Sequence, residues 1–573
     1  MKKVVQVITL VFALCTFTNA QTKQVVVKFI ETTDIHGSFF PTNFNTGKHV
    51  NGSLACIQSF VQEQRKTYGK NLLLLDNGDI LQGQPTVYWS NYIDTLRPNL
   101  AARIMNYMQY DVATIGNHDI ETGHKVYDKW AQECNFPILL ANGVQTSTQK
   151  AYFPPYKIFE REGVRIVVLG MLTPAIPAWL PEDLWSDIHF EDMVKSAKKW
   201  VTYLQEVEQP DFIVGLFHSG LSNGIQTKQY TENASKAVAE KVPGFDVVFF
   251  GHDHQLFCQE TTSKQNKKVW LVNPANNGLY VGEVTATFTL KDKKVTAKKV
   301  TAQLVSMKSY SAEKRYMKTF APDLDRITAF ITEPIGFFAT ALSTDNCLFG
   351  PCSLVKFIHQ VQLAISGAEI SLTAPLSTRG SIKAGAVYMH DMFQLYHFEN
   401  KLFVMSLTGK EIKEELEESY GRWFNQMKKP TDHLLLLKDN KPLNYIFNFD
   451  SAAGIKYCVN VKNPKGSRVR IISMEDGTPF SFQKRYRVAV NSYRANGGGE
   501  LLTRGSKIEK KELKKRIQWR SLFDLRYYII KYIKAQKTVQ LTQGNNWWVE
   551  PKGWAIPAQK RDSQLLNRGY NRE

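Results

Sequence analysis

Val25-Val26-Val27-Lys28-Phe29-Ile30 leads directly into Glu31-Thr32-Thr33-Asp34-Ile35-His36-Gly37. A short apolar, β-branched run reads as a buried strand, and the polar residues after it read as a loop at that strand's carboxyl end. The same figure recurs along the chain. Residues 71–75 run into Asp76-Asn77-Gly78-Asp79-Ile80-Leu81-Gln82-Gly83, and 112–115 into Gly116-Asn117-His118-Asp119-Ile120-Glu121. Residues 212–217 end in His218-Ser219-Gly220, and 247–250 in Gly251-His252-Asp253-His254. Residues 165–169 form a further apolar run, and helical periods fill 54–68, 100–108 and 190–207. Alternating strands and helices predict an α/β layered domain. The β-branched and Lys/Thr alternation over 269–304 predicts antiparallel strands closing it.

Ligands of α/β domains collect at the carboxyl ends of the strands. Five such ends here carry carboxylate, amide or imidazole. A structural role explains any one of them: Asp34 as a turn cap, His36, His218 or His252 as core imidazoles, Asn117 as a left-handed or capping residue. Five together would need a separate coincidence at each strand. Carboxylate, amide and imidazole without cysteine is a donor set suited to zinc or manganese.

The chain has 573 residues, 43% hydrophobic and 22% charged, so disordered, collagenous and coiled-coil classes are excluded. Seventy-two Lys and Arg against 53 Asp and Glu give a net charge of +19, which favours acidic partners. Residues 1–20 read as a signal peptide, with Lys2-Lys3, an apolar stretch to Phe17, and Thr18-Asn19-Ala20 before the cleavage point. That stretch is shorter than the about 20 residues of a membrane span, and no later stretch reaches that length. An exported protein, periplasmic or secreted, is expected. Cys347 and Cys352 are close enough to pair across Gly350-Pro351. Cys56, Cys134, Cys258 and Cys458 sit among apolar residues and read as buried free thiols at least as readily as disulfide partners.

The expected organisation is a first domain over 21–310, a linker helix over 311–332, a second domain over 333–540 and a basic tail over 541–573. Within the second domain, helices are expected at 354–365 and 410–419, and strands at 402–407, near 445–449 and at 485–491. Residues 501–573 hold 17 Lys and Arg against 6 acids, interleaved with Trp519, Tyr527, Tyr528, Trp547, Trp548 and Trp554. Such a segment can grip nucleic acid or an anionic surface. The favoured reading is an amphipathic helix over 507–534 that packs its aromatics on the second domain.

Asp34-x-His36, Gly78-Asp79-x-x-x-Gly83, Gly116-Asn117-His118-Asp119, His218 and Gly251-His252-x-His254 resemble, in order and spacing, the calcineurin-like metallophosphoesterases. More narrowly, the chain resembles the exported 5′-nucleotidases and 2′,3′-cyclic-nucleotide 2′-phosphodiesterases, whose second signature is similar to residues 491–499. The resemblance implies a four-layer αββα metallophosphoesterase domain followed by a smaller α/β substrate-binding domain. It implies two divalent metal ions, zinc or manganese, which neutralise a phosphate and acidify a bound water. By resemblance Asp34, His36 and His254 hold one ion, Asn117, His218 and His252 the other, and Asp79 bridges them through its two oxygens. His118 would stabilise the phosphoryl oxygens and the leaving group, paired with the acid three residues on. That acid is Glu121, where 5′-nucleotidases usually have Asp; Asp119 is a weaker candidate for the pairing and reads first as a helix N-terminal charge.

The family's second domain clamps a nucleotide base between two aromatic rings. Tyr493 matches one, and Phe447 is chosen for the other over Tyr445 and Phe449; Asn496, Arg379 and Lys383 complete the expected substrate contacts. Gly499 stands where 5′-nucleotidases tend to have an Asp that would repel a 2′- or 3′-phosphate. His254 stands where they have Gln or Asn. Both favour 2′,3′-cyclic and 3′-nucleotides over 5′-nucleotides. The rival classes are a nucleic-acid or surface binder using the tail, and a hydrolase of a non-nucleotide ester.

Overall fold

The computed structural model describes residues 22–567 apart from 45–46, 377–379, 397, 439–440 and 542–543. The signal-peptide segment, residues 1–20, lies outside the described residues.

Two six-stranded sheets form the first domain. One has the order Lys294–Ser306, Tyr280–Lys291, Thr22–Thr32, Leu72–Asp76, Val112–Thr114, Ile138–Leu139. The other runs Leu256–Thr262, Lys268–Pro274, Val247–Phe250, Phe212–His218, Val164–Leu172, Tyr156–Arg161. The period of two along each strand decides which residues meet which layer. Val25, Val27, Phe29, Leu73 and Leu75 point between the sheets, against Ile166, Val168, Val214 and Phe249 of the second. Their neighbours Ile30, Leu72 and Leu74 face the helices Leu54–Tyr68 and Leu100–Met108. On the far side Met193, Ala197 and Val201 of the helix Met193–Tyr203 cover the second sheet. The result is helix, sheet, sheet, helix, the expected four layers.

The closing strands follow expectation in part. Lys268–Pro274 is antiparallel to Leu256–Thr262 but adds parallel to Val247–Phe250 in the second sheet, and the hairpin Tyr280–Lys291/Lys294–Ser306 closes antiparallel on the first. Side-chain alternation reports burial on one face, and it cannot tell strand direction.

The helix Lys314–Ile331 does not stand free between the domains. Tyr316, Phe320 and Ile327 are part of the first domain's core, and buried Asp323 accepts hydrogen bonds from Arg97 and Arg103. The chain then enters a five-stranded sheet in the order Ser451–Ala453, Ile370–Thr373, Arg485–Asn491, Lys401–Thr408, Ile517–Asp524. Helices cover both of its faces: Gly409–Trp423 on one, Ser353–Ser366 and Leu525–Gln536 on the other. Cys347 and Cys352 form a disulfide; Cys56, Cys134, Cys258 and Cys458 are free.

Three expectations for the second half need correction. The strand near 445–449 is a single tight helical turn, Ile446–Asn448. The amphipathic helix over 507–534 is a short helix (Lys510–Arg516), an edge strand (Ile517–Asp524) and a second helix (Leu525–Gln536). The described part of the tail expected over 541–573 is no appendage: Trp547–Glu550 pairs parallel with Ile455–Asn460, and the helix Lys552–Asn567 follows. Trp547 is buried, stacked on Tyr457 at 5.9 Å and packed on Tyr420 and Phe449. Buried Asp562 accepts the amides of Leu434 and Leu435 and lies 2.5 Å from His433. An aromatic buried this fully contributes about 2–3 kcal/mol, which a count of lysines and arginines does not register. Among the described residues no helix is long and apolar enough to cross a membrane.

Candidate active site

The carboxyl ends of the central strands of both sheets meet. Ligand atoms of Asp34, His36 and His254 lie within 4.8 Å of one another, as do those of Asp34, Asp79 and His218. His254 Nε2 is 3.2 Å from Asp34 Oδ1 and 3.2 Å from His36 Nε2. His218 Nε2 is 3.1 Å from Asp79 Oδ2 and 3.1 Å from Asn117 Oδ1, and His252 Nδ1 is 2.7 Å from the same amide oxygen. All seven residues expected to bind metal therefore converge on one place.

Their backbones are unusual. Asp34, His36, Asp79, His252 and His254 all have positive φ, between 49° and 74°. Non-glycine residues enter this region at a cost of order 1–3 kcal/mol each, and persist there only when their surroundings fix them. Bonds between the loops do so: the Asp34 amide donates to Gly78, the His36 amide to Asp79, the Gln84 amide to His36 and the Asn277 amide to Asp34. Gly116 is required by proximity, since a Cβ there would lie 2.0 Å from Asp79 Oδ1.

Electrostatics and tautomers test whether a cation fits. The His36 Nδ1–H donates to the Gln82 carbonyl (3.0 Å) and the His218 Nδ1–H to that of Asn77 (2.6 Å), so in the neutral rings Nε2 carries the lone pair. Those lone pairs point inward, at one another and at carboxylates. Asp34 Oδ1 is fully buried and accepts no hydrogen bond of good geometry. Burial pushes the Asp34 carboxyl up, but His254 and His218 outweigh it and hold it down to about 2. Burial likewise disfavours a charged His218, yet Asp79 and Asp34 raise it to about 10. The carboxylates demand positive charge at their centre, and converging oxygen and nitrogen donors with backs already bonded suit a divalent cation.

One detail differs from expectation. Only Oδ2 of Asp79 faces the ligands; Oδ1 accepts the His118 amide at 2.8 Å. A bridge by Asp79 would thus use one oxygen rather than two.

His118 sits beside this centre, 5.5 Å from His36 between ring centroids. Its Nδ1 lies 2.6 Å from Glu121 Oε2, one helical turn on, so the longer arm of glutamate does reach. Burial lowers the His118 pKa, but the charge of Asp79 and the Glu121 hydrogen bond overcome that and raise it to about 9. Asp119 turns the other way. Its carboxylate accepts the amides of Asp79, Ile80, Leu81 and Gly116 at 2.8–2.9 Å, tying two strand-end loops together. It is neither a partner of His118 nor a simple helix-end charge.

Sequence reasoning missed Glu232. It lies on the hairpin Asn223–Gln226/Thr231–Asn233, with Oε1 3.2 Å from His252 Nε2. Nothing local marks it, because it follows no apolar strand and matches no motif.

The second domain brings Phe447 and Tyr493 together, with ring centroids 6.1 Å apart and planes at 86°. Tyr445 is exposed and stacks on Phe447 at 5.2 Å, whereas Phe449 is core. Burial pushes the Tyr493 phenol up, against the lowering effect of Arg494. Arg494 holds the pair in place: it binds Asp450 twice at 2.8 Å and donates to the carbonyls of Phe447 and Gly498. Asn496 donates to Ser492 within its own turn, Lys383 is exposed, and Arg379 lies outside the described residues.

Gly499 has φ 66°, and a Cβ there would lie 2.0 Å from Asn448 Oδ1 and 2.4 Å from Arg494 Nη1. Glycine is thus demanded by backbone and space as well as by any charge effect. Gly499→Asp is expected to destabilise the protein by roughly 2–4 kcal/mol, read as a lower urea midpoint; an unchanged midpoint would refute the steric account.

Residues 27–256 match the family model described as calcineurin-like phosphoesterase, and 328–504 that described as 5′-nucleotidase, C-terminal domain. The chain is a calcineurin-like phosphoesterase with a 5′-nucleotidase C-terminal domain. It is accordingly a metal-dependent phosphoric ester hydrolase, and this family uses divalent ions. The phosphoesterase is 26% identical to the trifunctional nucleotide phosphoesterase protein YfkN of Bacillus subtilis, over 92% of this chain but 39% of that protein's length. It is 25% identical to the 2′,3′-cyclic-nucleotide 2′-phosphodiesterase/3′-nucleotidase of Yersinia enterocolitica, over 84% of this chain and 82% of that one. A crystal structure of a putative 5′-nucleotidase from Staphylococcus aureus superposes with a TM-score of 0.76 at 20% identity, covering 92% of this chain and all of that one, and shares the fold.

Proposed function

We propose that the protein is an exported dinuclear-metal phosphoesterase that hydrolyses 2′,3′-cyclic nucleotides and 3′-nucleotides. The observation that carries this reading is the inward-facing ligand set, in which Asp34 belongs to both residue groups and His254 completes the first. Asp34, His36 and His254 would hold one ion, and Asn117, His218 and His252 the other, with Asp79 Oδ2 between them. Zinc or manganese bound there neutralises the phosphate and lowers the pKa of a bound water.

The chain's own residues do the rest. His118, held cationic by Glu121, donates from Nε2 to the phosphoryl and leaving-group oxygens. Tyr493 and Phe447 bind the base, and Arg494 fixes their two loops. Stacking of this kind contributes ~1–3 kcal/mol per base and tolerates any base. The rings stand perpendicular, so one of them must rotate to admit a base between them.

The imidazole of His254 favours the cyclic and 3′ reading, as does the name of the Yersinia relative. Purified protein loaded with manganese or zinc would be offered 2′,3′-cyclic AMP, 3′-AMP and 5′-AMP. The cyclic reaction is followed by chromatography, since ring opening frees no phosphate. The first two substrates are expected to exceed the third in kcat/KM by about tenfold or more, or ~1.4 kcal/mol. Preference for 5′-AMP would replace the substrate assignment, and activity on none of the three would overturn the nucleotide reading.

A further inference from the structure

We propose that Glu232 is a positioning residue that turns His252 round and holds it as an Nδ1 ligand. This rests on the dinuclear-metal reading above. Three of the four expected histidine ligands present Nε2 to the centre. Their outward Nδ1 atoms meet neutral groups: the Gln82 carbonyl, the Asn77 carbonyl and the Asn276 side-chain amide. His252 is reversed. Its Nδ1 faces Asn117 at 2.7 Å, and its Nε2 faces outward to a carboxylate. A neutral imidazole has one N–H and one lone pair, so an Nε2–H donated to Glu232 leaves the lone pair on Nδ1, directed at the centre.

The Glu232 side chain is anchored for this. Its other oxygen accepts the Ile225 amide at 2.6 Å across the hairpin. Its backbone carbonyl accepts the hydroxyls of Thr173 and Ser219, at the ends of two central strands of the second sheet. Gly224 makes room for it, since a Cβ there would fall 2.6 Å from the carboxylate. The Trp179 ring also lies 5.6 Å from the His252 ring, limiting its rotation. A hairpin with no catalytic residue of its own thus fixes which nitrogen of one ligand is free.

Outer partners of histidine ligands change metal affinity by about 10–100-fold. The test uses the full-length protein stripped by chelator and titrated with Zn²⁺ against a chromophoric chelator. Wild type is expected to take up two equivalents. Glu232→Ala should weaken one of the two by about 10–100-fold and leave the other alone, with Glu232→Gln between, since its amide oxygen still accepts from Nε2–H. The metal-free unfolding midpoints should agree within about 2 °C, which separates positioning from loss of fold. If the alanine variant does not fold, the isosteric glutamine variant decides. Two tightly bound equivalents in the folded variants, as in wild type, would overturn the role of Glu232 and leave the dinuclear reading standing. A wild-type protein that binds no zinc would overturn both.

Discussion

Asp79→Asn is expected to lower kcat by about 10³-fold or more and to reduce bound metal from two equivalents to one or none. Asp79 is fully buried, holds a left-handed backbone, and aims Oδ2 at His218 while Oδ1 receives the His118 amide. Asparagine keeps the shape and can still accept one hydrogen bond. It removes a full negative charge from between the two ligand groups, where charge matters most because water is excluded. Asp119 still receives the backbone amides of residues 79, 80 and 81, so the loop itself should survive. Metal analysis and steady-state kinetics on the same preparation check this. Two retained equivalents with activity within a few-fold of wild type would remove Asp79 from the bridging position.

The second large effect is expected at His118, and it should look different. His118→Asn should cut kcat by about 10²–10⁴-fold, the range of general-acid and transition-state donors, while both metal equivalents remain. The ring projects beside the ligand cluster and its outer nitrogen is held by Glu121 at 2.6 Å. Glu121→Gln should cost less, about 10–100-fold, because a neutral amide still orients the ring but no longer favours its charged form. A histidine variant within threefold of wild type would show that the ring takes no part in the reaction. Loss of metal in that variant would reassign it as a ligand support.

How much of this was legible in the sequence depended on whether the signal was local. Strand, ligand and turn follow one another at Val112–Thr114 and Gly116-Asn117-His118, so the chemistry and the element that positions it sit within ten residues. The pairing of His118 with Glu121 was expected from the family resemblance alone; the two meet because residues three apart share a helix face. Asp119 was read only in part: its bond to the Gly116 amide at the helix start is local, but its other bonds go to a loop about forty residues earlier, a relation no window contains. Glu232 was invisible for a like reason, acting across the fold on His252. Phe447 carried a strand-like pattern, yet Tyr445, Phe447 and Phe449 surround a tight turn that leaves Tyr445 exposed, Phe447 half-buried and Phe449 in the core. Composition misled most at the tail, where lysines and arginines on the outside of Lys552–Asn567 concealed the buried face that carries Ala555, Ala558 and Asp562.

That closing strand and helix also set a timetable for biosynthesis. The core of the second domain begins near Ile335, but Trp547 and Asp562 complete it from the far end of the segment. As the chain emerges amino terminus first where it folds, the first domain has all its strands by Ser306 and its core helix by Ile331, and can close before the rest arrives. The second must wait, with the aromatic cluster around Tyr420, Phe449 and Tyr457 still uncovered, until more than two hundred further residues are made. A chain halted between these points would carry a finished catalytic half joined to a sticky, unfinished one, which is where chaperones would be needed.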